Sequence, residues 1–139
     1  MRTTSNDDNQ RSPSEDPFEF IAGANPATVR IVFRGFWTEE TVECYLQALH
    51  KRAANPAGAS AITKVLLDMR ACVVQSQLVM DSFARIMVSY AAQIKEYGIL
   101  LPGSALLELQ MRRLMLPAST QFFDEEEPAL QWLGASETG

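Results

Sequence analysis

His50 is the one histidine in the chain, so any device that moves a proton through an imidazole would depend wholly on it. It stands beside Lys51 and Arg52 at what reads as a helix end, where a cation complements the dipole, and that is its simpler role. Cys44 and Cys72 lie far apart and form no CxxC pair, which fits reduced thiols acting as small buried hydrophobes. The run Asp124-Glu125-Glu126-Glu127 carries the oxygen ligands that a hard divalent cation takes. Consecutive residues at a helix start point in different directions, however, so capping and the dipole account for these acids. There is no GxGxxG, no phosphate loop of the GxxxxGKS or GxxxxGKT type and no GxSxG elbow. The sequence supports no catalytic residue, no metal site and no cofactor.

What remains is chemistry suited to recognition. Asp68 ends a strand-like run, and α/β proteins often place functional groups at the carboxyl ends of strands. Its competing role is to accept backbone hydrogen bonds in the loop that follows. Arg70, Gln75 and Ser76 lie in the same connection and could bind a small anion or a partner, although Ser76 is also a good helix N-cap. Further on, Arg112 and Arg113 share a predicted helix with Gln110; guanidinium groups there suit carboxylates or phosphates on an acidic partner. The candidate interaction or switch residues are therefore Asp68, Arg70, Ser76, Arg112 and Arg113.

The elements that must position them follow from periodicity. Ile62 to Met69 is an apolar run of the kind buried on both sheet faces, and a helical pattern follows from about Ser76 to Tyr97. Upstream, Phe18–Ile21, the turn Gly23-Ala24-Asn25-Pro26 and the alternating Thr28–Arg34 read as an antiparallel hairpin. Thr38 caps a helix that runs to about Ala54, with Val42, Tyr45, Leu46 and Leu49 inward, and Asn55-Pro56-Ala57-Gly58 stops it. Gly98 to Pro102 suits a strand, and Ser104 caps a helix through about Met115 with Leu106, Leu109 and Leu114 as its apolar positions. Gln121-Phe122-Phe123 reads as a last short strand. Asp124 then caps a short helix, three residues ahead of Glu127, which docks through Ala129, Leu130, Trp132 and Leu133. The fold class is α/β, a mixed sheet of four to five strands with packed helices.

Length and composition set the bounds. At 139 residues and 47% hydrophobic the chain suits one domain with a real core. Residues 1–16 carry no aromatic or branched aliphatic side chain and read as a disordered tail, residues 17–134 as the domain, and residues 135–139 as a C-terminal tail. A net charge of -5 argues against a nucleic-acid partner, which needs a basic patch. The polar start holds no apolar signal region, and Gln75, Gln77, Asp81, Arg85 and Gln93 interrupt the longest apolar segment, so the expectation is a cytoplasmic protein without a membrane span.

Several of these segments together resemble the bacterial SpoIIAA-like proteins of the STAS-related superfamily. They are the acid-ended strand Val65-Leu66-Leu67-Asp68-Met69-Arg70, the long helix behind it, Ile99-Leu100-Leu101-Pro102, Phe122-Phe123-Asp124 and Ala129-Leu130-Gln131-Trp132-Leu133. The resemblance covers about residues 18 to 134. It implies a mixed sheet with helices, no catalytic centre and a role in protein-protein regulation. Members of the anti-sigma factor antagonist type bind a partner kinase and are switched by phosphorylation of a serine in an Asp-Ser-Ser-Gly segment at a helix start. Counted from Asp68, that segment falls on Ser76-Gln77-Leu78-Val79, with Leu78 at the phosphoacceptor position and no glycine, while Asp81-Ser82 lies a turn further on. The phosphoserine switch is not carried over.

Two functions from different classes follow. One is a non-enzymatic regulatory module that binds another protein, or itself as a homodimer, through helix faces near Ser76 and Arg112-Arg113. The other is a small-ligand or lipid-binding domain whose pocket is lined by Phe18, Phe36, Trp37, Met80, Met87, Met111 and Met115.

Overall fold

The structure is a computed structural model and describes residues 16–23, 26–53, 62–116 and 118–134. The expected tails, apart from Asp16, and the stop at Asn55 to Gly58 lie outside the described residues. Alternation makes the first hairpin: β1 (Phe18–Ala22) lies antiparallel to β2 (Thr28–Gly35), with Phe18 opposite Phe33 and Ala22 opposite Val29. Val29, Ile31 and Phe33 thereby enter one core face. Helix α1 (Glu39–Ala53) starts where the Thr38 hydroxyl accepts the Thr41 amide at 3.2 Å. Then follow β3 (Lys64–Cys72), α2 (Gln77–Ser89), β4 (Glu96–Leu100), α3 (Ala105–Leu114), β5 (Thr120–Phe123) and α4 (Glu126–Gly134).

The five strands form one mixed sheet in the order β1-β2-β3-β4-β5, and every pair after the hairpin is parallel. Each parallel step carries a helix, as such crossovers must. The larger core joins Val42 and Tyr45 of α1, Phe83 of α2 and Met111 of α3 to Ile31, Leu67 and Ile99, so these three helices cover one face. On the other face α4 lays Ala129 and Leu133 on Leu66 and Leu100, with Trp132 and Phe123 packed beside them. Gly98 allows that approach, because a Cβ there would meet the Trp132 ring at 2.6 Å.

Four elements differ from the sequence reading in a boundary or a face. The central strand runs on to Cys72, which puts Asp68 inside it and not at its end. Helix α2 stops at Ser89: the Tyr90 amide reaches back to Ile86 and Met87, and Glu96 and Tyr97 belong to β4. Tyr97 and Ile99 face the core at the two-residue period of a strand, while Ile94 and Tyr97 also happen to continue the spacing of the helix. In α3 the inward stripe is Leu107 and Met111; Leu106 and Leu109 are exposed, as is Leu78 in α2. Helix α4 begins at Glu126, and of its expected anchors Leu130 is exposed.

Candidate functional site

The lengthened central strand contains an irregularity with a clear cause. Val32 pairs with Asp68 but Arg34 pairs with Ala71, so β3 holds one extra residue there. The Asp68 carboxylate accepts the Arg70 amide at 3.3 Å and thereby stabilises the bulge. It also accepts Arg30 Nη2 at 2.6 Å, Arg70 Nη2 at 2.8 Å and Arg70 Nε at 3.0 Å. Glu126, in the first turn of α4, receives the same two guanidiniums at 3.3 and 3.4 Å. Burial would raise the Asp68 pKa, but the hydrogen bonds from Arg70 and Arg30 outweigh it and hold the carboxyl below its ordinary value. The Asp68 bond and charge in turn raise the Arg70 pKa. Two acids and two arginines neutralise one another here, so this cluster fastens α4 to β2 and β3.

The carboxyl ends of β2, β3 and β4 share one sheet edge, where the loops at 36–38, 73–76 and 101–104 lead into α1, α2 and α3. Serines cap two of these helices: Ser76 Oγ accepts the Val79 amide at 3.2 Å, and Ser104 Oγ accepts the Leu107 amide at 3.2 Å. Gly35 and Gly103 turn the chain at φ 78° and 92°, a conformation that favours glycine. Gln75 ties the loops together. Its carbonyl oxygen accepts the buried Trp37 amide at 2.8 Å, and its amide nitrogen donates to the Gly35 and Val73 carbonyls at 2.9 and 2.6 Å. Its own backbone is gripped on both sides by the Gln110 side chain, which accepts the Gln75 amide at 2.9 Å and donates to its carbonyl at 2.7 Å. A polar network satisfied in this way is rigid.

That fixed edge displays apolar side chains to solvent. Phe36 is 60% exposed, Leu78 60% and Leu106 65%, and Val73 and Leu109 are exposed as well. Leu106 shares a helix face with Gln110, the residue clamped to the 73–76 loop, which sets Leu106 on the side of that loop. Arg113 follows Leu106 and Leu109 at seven and four residues on the same outer face. Around the patch Glu39, Glu40 and Asp81 are exposed acids.

The residues singled out from sequence therefore separate. Asp68 and Arg70 come together, on the α4 side of the sheet. Ser76 lies at the carboxyl edge as the cap of α2. Arg112 is turned toward Glu108 at 2.8 Å and over the Phe122 ring at 4.3 Å, while Arg113 is exposed. Gln75 is buried with its side-chain amide fully engaged, so it does not offer an anion site. Burial, with the Asp68 charge, pushes the Cys72 thiol up to about 12, in keeping with a small core residue; Cys44, in contrast, is exposed. His50 sits in the last turn of α1. Among the described residues no cluster of three or more histidines, cysteines or acids could hold a metal, and no helix is long and apolar enough to cross a membrane.

The structure also holds an apolar cavity between the sheet and α1 and α2, lined by Met87 and Met111 of the residues expected from sequence. Phe18, Trp37, Met80 and Met115 pack elsewhere in the core, and Phe36 faces solvent. Nothing local in the sequence marks the Gln75–Gln110 clamp, or Arg30 as a partner of Asp68 and Glu126 as the second acid on its arginines. One local sign of the edge was legible: an aromatic pair, Phe36-Trp37, directly after a strand-breaking glycine.

No family model matches the sequence, and no curated protein matches it. Solved structures do. An uncharacterized protein from the DUF3478 family with a SpoIIAA-like fold, from Shewanella loihica PV-4, superposes with a TM-score of 0.64 at 19% identity, over 84% of this chain and 91% of that one. An anti-sigma factor antagonist from Mycobacterium paratuberculosis superposes with a TM-score of 0.58 at 12% identity, over 86% of this chain and 96% of that one. At these identities the likeness is one of architecture, and this chain has the SpoIIAA-like fold.

Proposed function

We propose that this chain is a non-enzymatic regulatory module of the cytoplasm that works by binding another protein at the carboxyl edge of its sheet. The observation that carries the reading is the exposed patch of Phe36, Val73, Leu78, Leu106 and Leu109 on loops that the Gln75–Gln110 clamp holds rigid. Apolar side chains exposed on a preorganised frame suit a docking site, because little order has to be imposed on binding. The exposed acids Glu39, Glu40 and Asp81 flank the patch. The partner that fits is a different protein with an apolar centre and lysine or arginine at its rim. Arg113, further along α3, supplies a cation for an acidic group on that partner. Asp68 and Arg70 act as positioning residues that shape the strand leading into the edge, and Ser76 acts as the cap within it. The name of one structural neighbour, an anti-sigma factor antagonist, supports a regulatory role.

The test is substitution at the patch, Phe36→Ser with Leu106→Ser. These side chains face solvent, so the fold is expected to survive within about 0.5 kcal/mol. Loss of a partner that the wild type carries supports the reading. Retention of that partner by the folded double variant refutes it.

A further inference from the structure

The cavity lies in the larger core, with Phe33, Val65, Leu67, Phe83 and Met87 among its walls, and has a volume of about 130 Å³. An engineered apolar cavity of about 150 Å³ stays dry and takes up benzene, so this space accepts a body of ring size. Protein cores seldom leave such a void, because its lining lacks contact partners.

The polar groups on its wall narrow the ligand. Tyr45 and Tyr97 both line the cavity, and the two residues are 5% and 8% exposed. Buried tyrosine hydroxyls ordinarily find hydrogen-bond partners. The hydroxyls of Tyr45 and Tyr97 make no hydrogen bond among the described residues, and neither oxygen is sealed off, so each is open to a small molecule. Tyr90 lines the same space, so three phenols share its wall. Burial pushes the Tyr97 phenol up to about 12 and raises those of Tyr45 and Tyr90, so all three remain neutral hydrogen-bond donors. Among the described residues no acceptor engages the Tyr45 and Tyr97 donors. A buried carboxylate would have to draw the lining cation Arg52 away from the Phe20 ring, over which it lies at 4.7 Å, whereas an uncharged acceptor oxygen needs no counter-charge and is the better fit. The half-exposed lining residues Leu49, Ile62, Tyr90, Gln93 and Ile94 mark the mouth at the end of the sheet opposite the carboxyl edge.

From these observations we infer that the cavity is a binding site for a small, uncharged, mainly apolar molecule bearing a carbonyl or similar acceptor oxygen. The oxygen accepts from the Tyr45 and Tyr97 hydroxyls and the apolar body packs on Val65, Leu67, Phe83 and Met87. The inference goes beyond the proposed function and does not rest on it.

The experiment is a methyl NMR titration of the full chain with cyclohexanone and, separately, with methylcyclohexane, a hydrocarbon of similar shape. Saturable shifts at Val65, Leu67 and Met87 are expected from both probes, with the ketone bound about fivefold more tightly. In Tyr45→Phe with Tyr97→Phe the ketone's advantage is expected to vanish while hydrocarbon binding persists within twofold, which also shows that the variant is folded. Absence of saturable shifts in the wild type overturns the site. Equal wild-type affinities, or a ketone preference that survives in the double variant, overturns the role of the hydroxyls.

Discussion

Asp68→Asn removes one negative charge from the buried network while keeping the shape of the side chain. The wild-type carboxylate is 4% exposed and accepts Arg30 Nη2 at 2.6 Å and Arg70 Nη2 at 2.8 Å. Loss of a partner from a buried ion pair costs about 3–5 kcal/mol, because the remaining charge is left uncompensated. Here the lower end applies. Arg70 is 40% exposed and can rehydrate, and both guanidiniums keep Glu126, so the cost falls mainly on Arg30, whose Nε is already buried without a partner among the described residues. A loss of about 3 kcal/mol at pH 7 is expected, a large share of the roughly 5–15 kcal/mol of a typical domain. Urea denaturation at a series of pH values is the assay. A carboxyl whose folded pKa is depressed contributes stability that is fully present above its unfolded value. That contribution is lost as pH falls through the folded value. The gap between wild type and variant should therefore be constant at neutral pH and begin to close near the ordinary carboxyl value of 3.8. It should narrow further below that. A neutral-pH difference under about 1 kcal/mol, or a gap of undiminished size in acid, would refute the assignment of Asp68 as the centre of a charged latch.

The other predictions concern the frame around the patch and the seat of α4. Gln75→Leu strands the buried Trp37 amide, whereas the carbonyls of exposed Gly35 and Val73 can turn to water, so a loss of about 2 kcal/mol is expected by urea denaturation. Hydrogen exchange at Trp37 should accelerate in the same variant; unchanged exchange would mean that the clamp does not hold the loops. Gly98→Ala places a Cβ at 2.6 Å from the Trp132 ring, so α4 must shift, with an expected cost of about 1–3 kcal/mol and a changed Trp132 fluorescence spectrum.

Local chemistry made some parts of this fold legible and left others hidden. The caps Thr38, Ser76 and Ser104 announce helix starts because each satisfies backbone amides within three residues. The hairpin is equally plain, since β2 buries every second residue on the larger core. The α2 to β4 boundary was obscured because Tyr90, Ile94 and Tyr97 satisfy the helical spacing although the last of them is in a strand. In α3, Leu106, Leu107, Leu109 and Met111 allow two inward phases, and packing against the sheet selects Leu107 and Met111. The partners of Asp68 could not be read locally: Arg30 is 38 residues away in sequence, and Glu126, which shares both arginines, lies 96 residues from Arg30. The cavity, too, depends on how α1 and α2 sit on the sheet, which composition does not specify.

The most direct test of the proposed interface is native mass spectrometry of the chain isolated from its own host, beside the folded Phe36→Ser/Leu106→Ser variant. The expected spectrum shows the wild type with the added mass of one different protein and the variant without it. A wild type that flies bare, a mass equal to two copies of this chain, or a partner retained equally by the variant would contradict a docking edge for another protein.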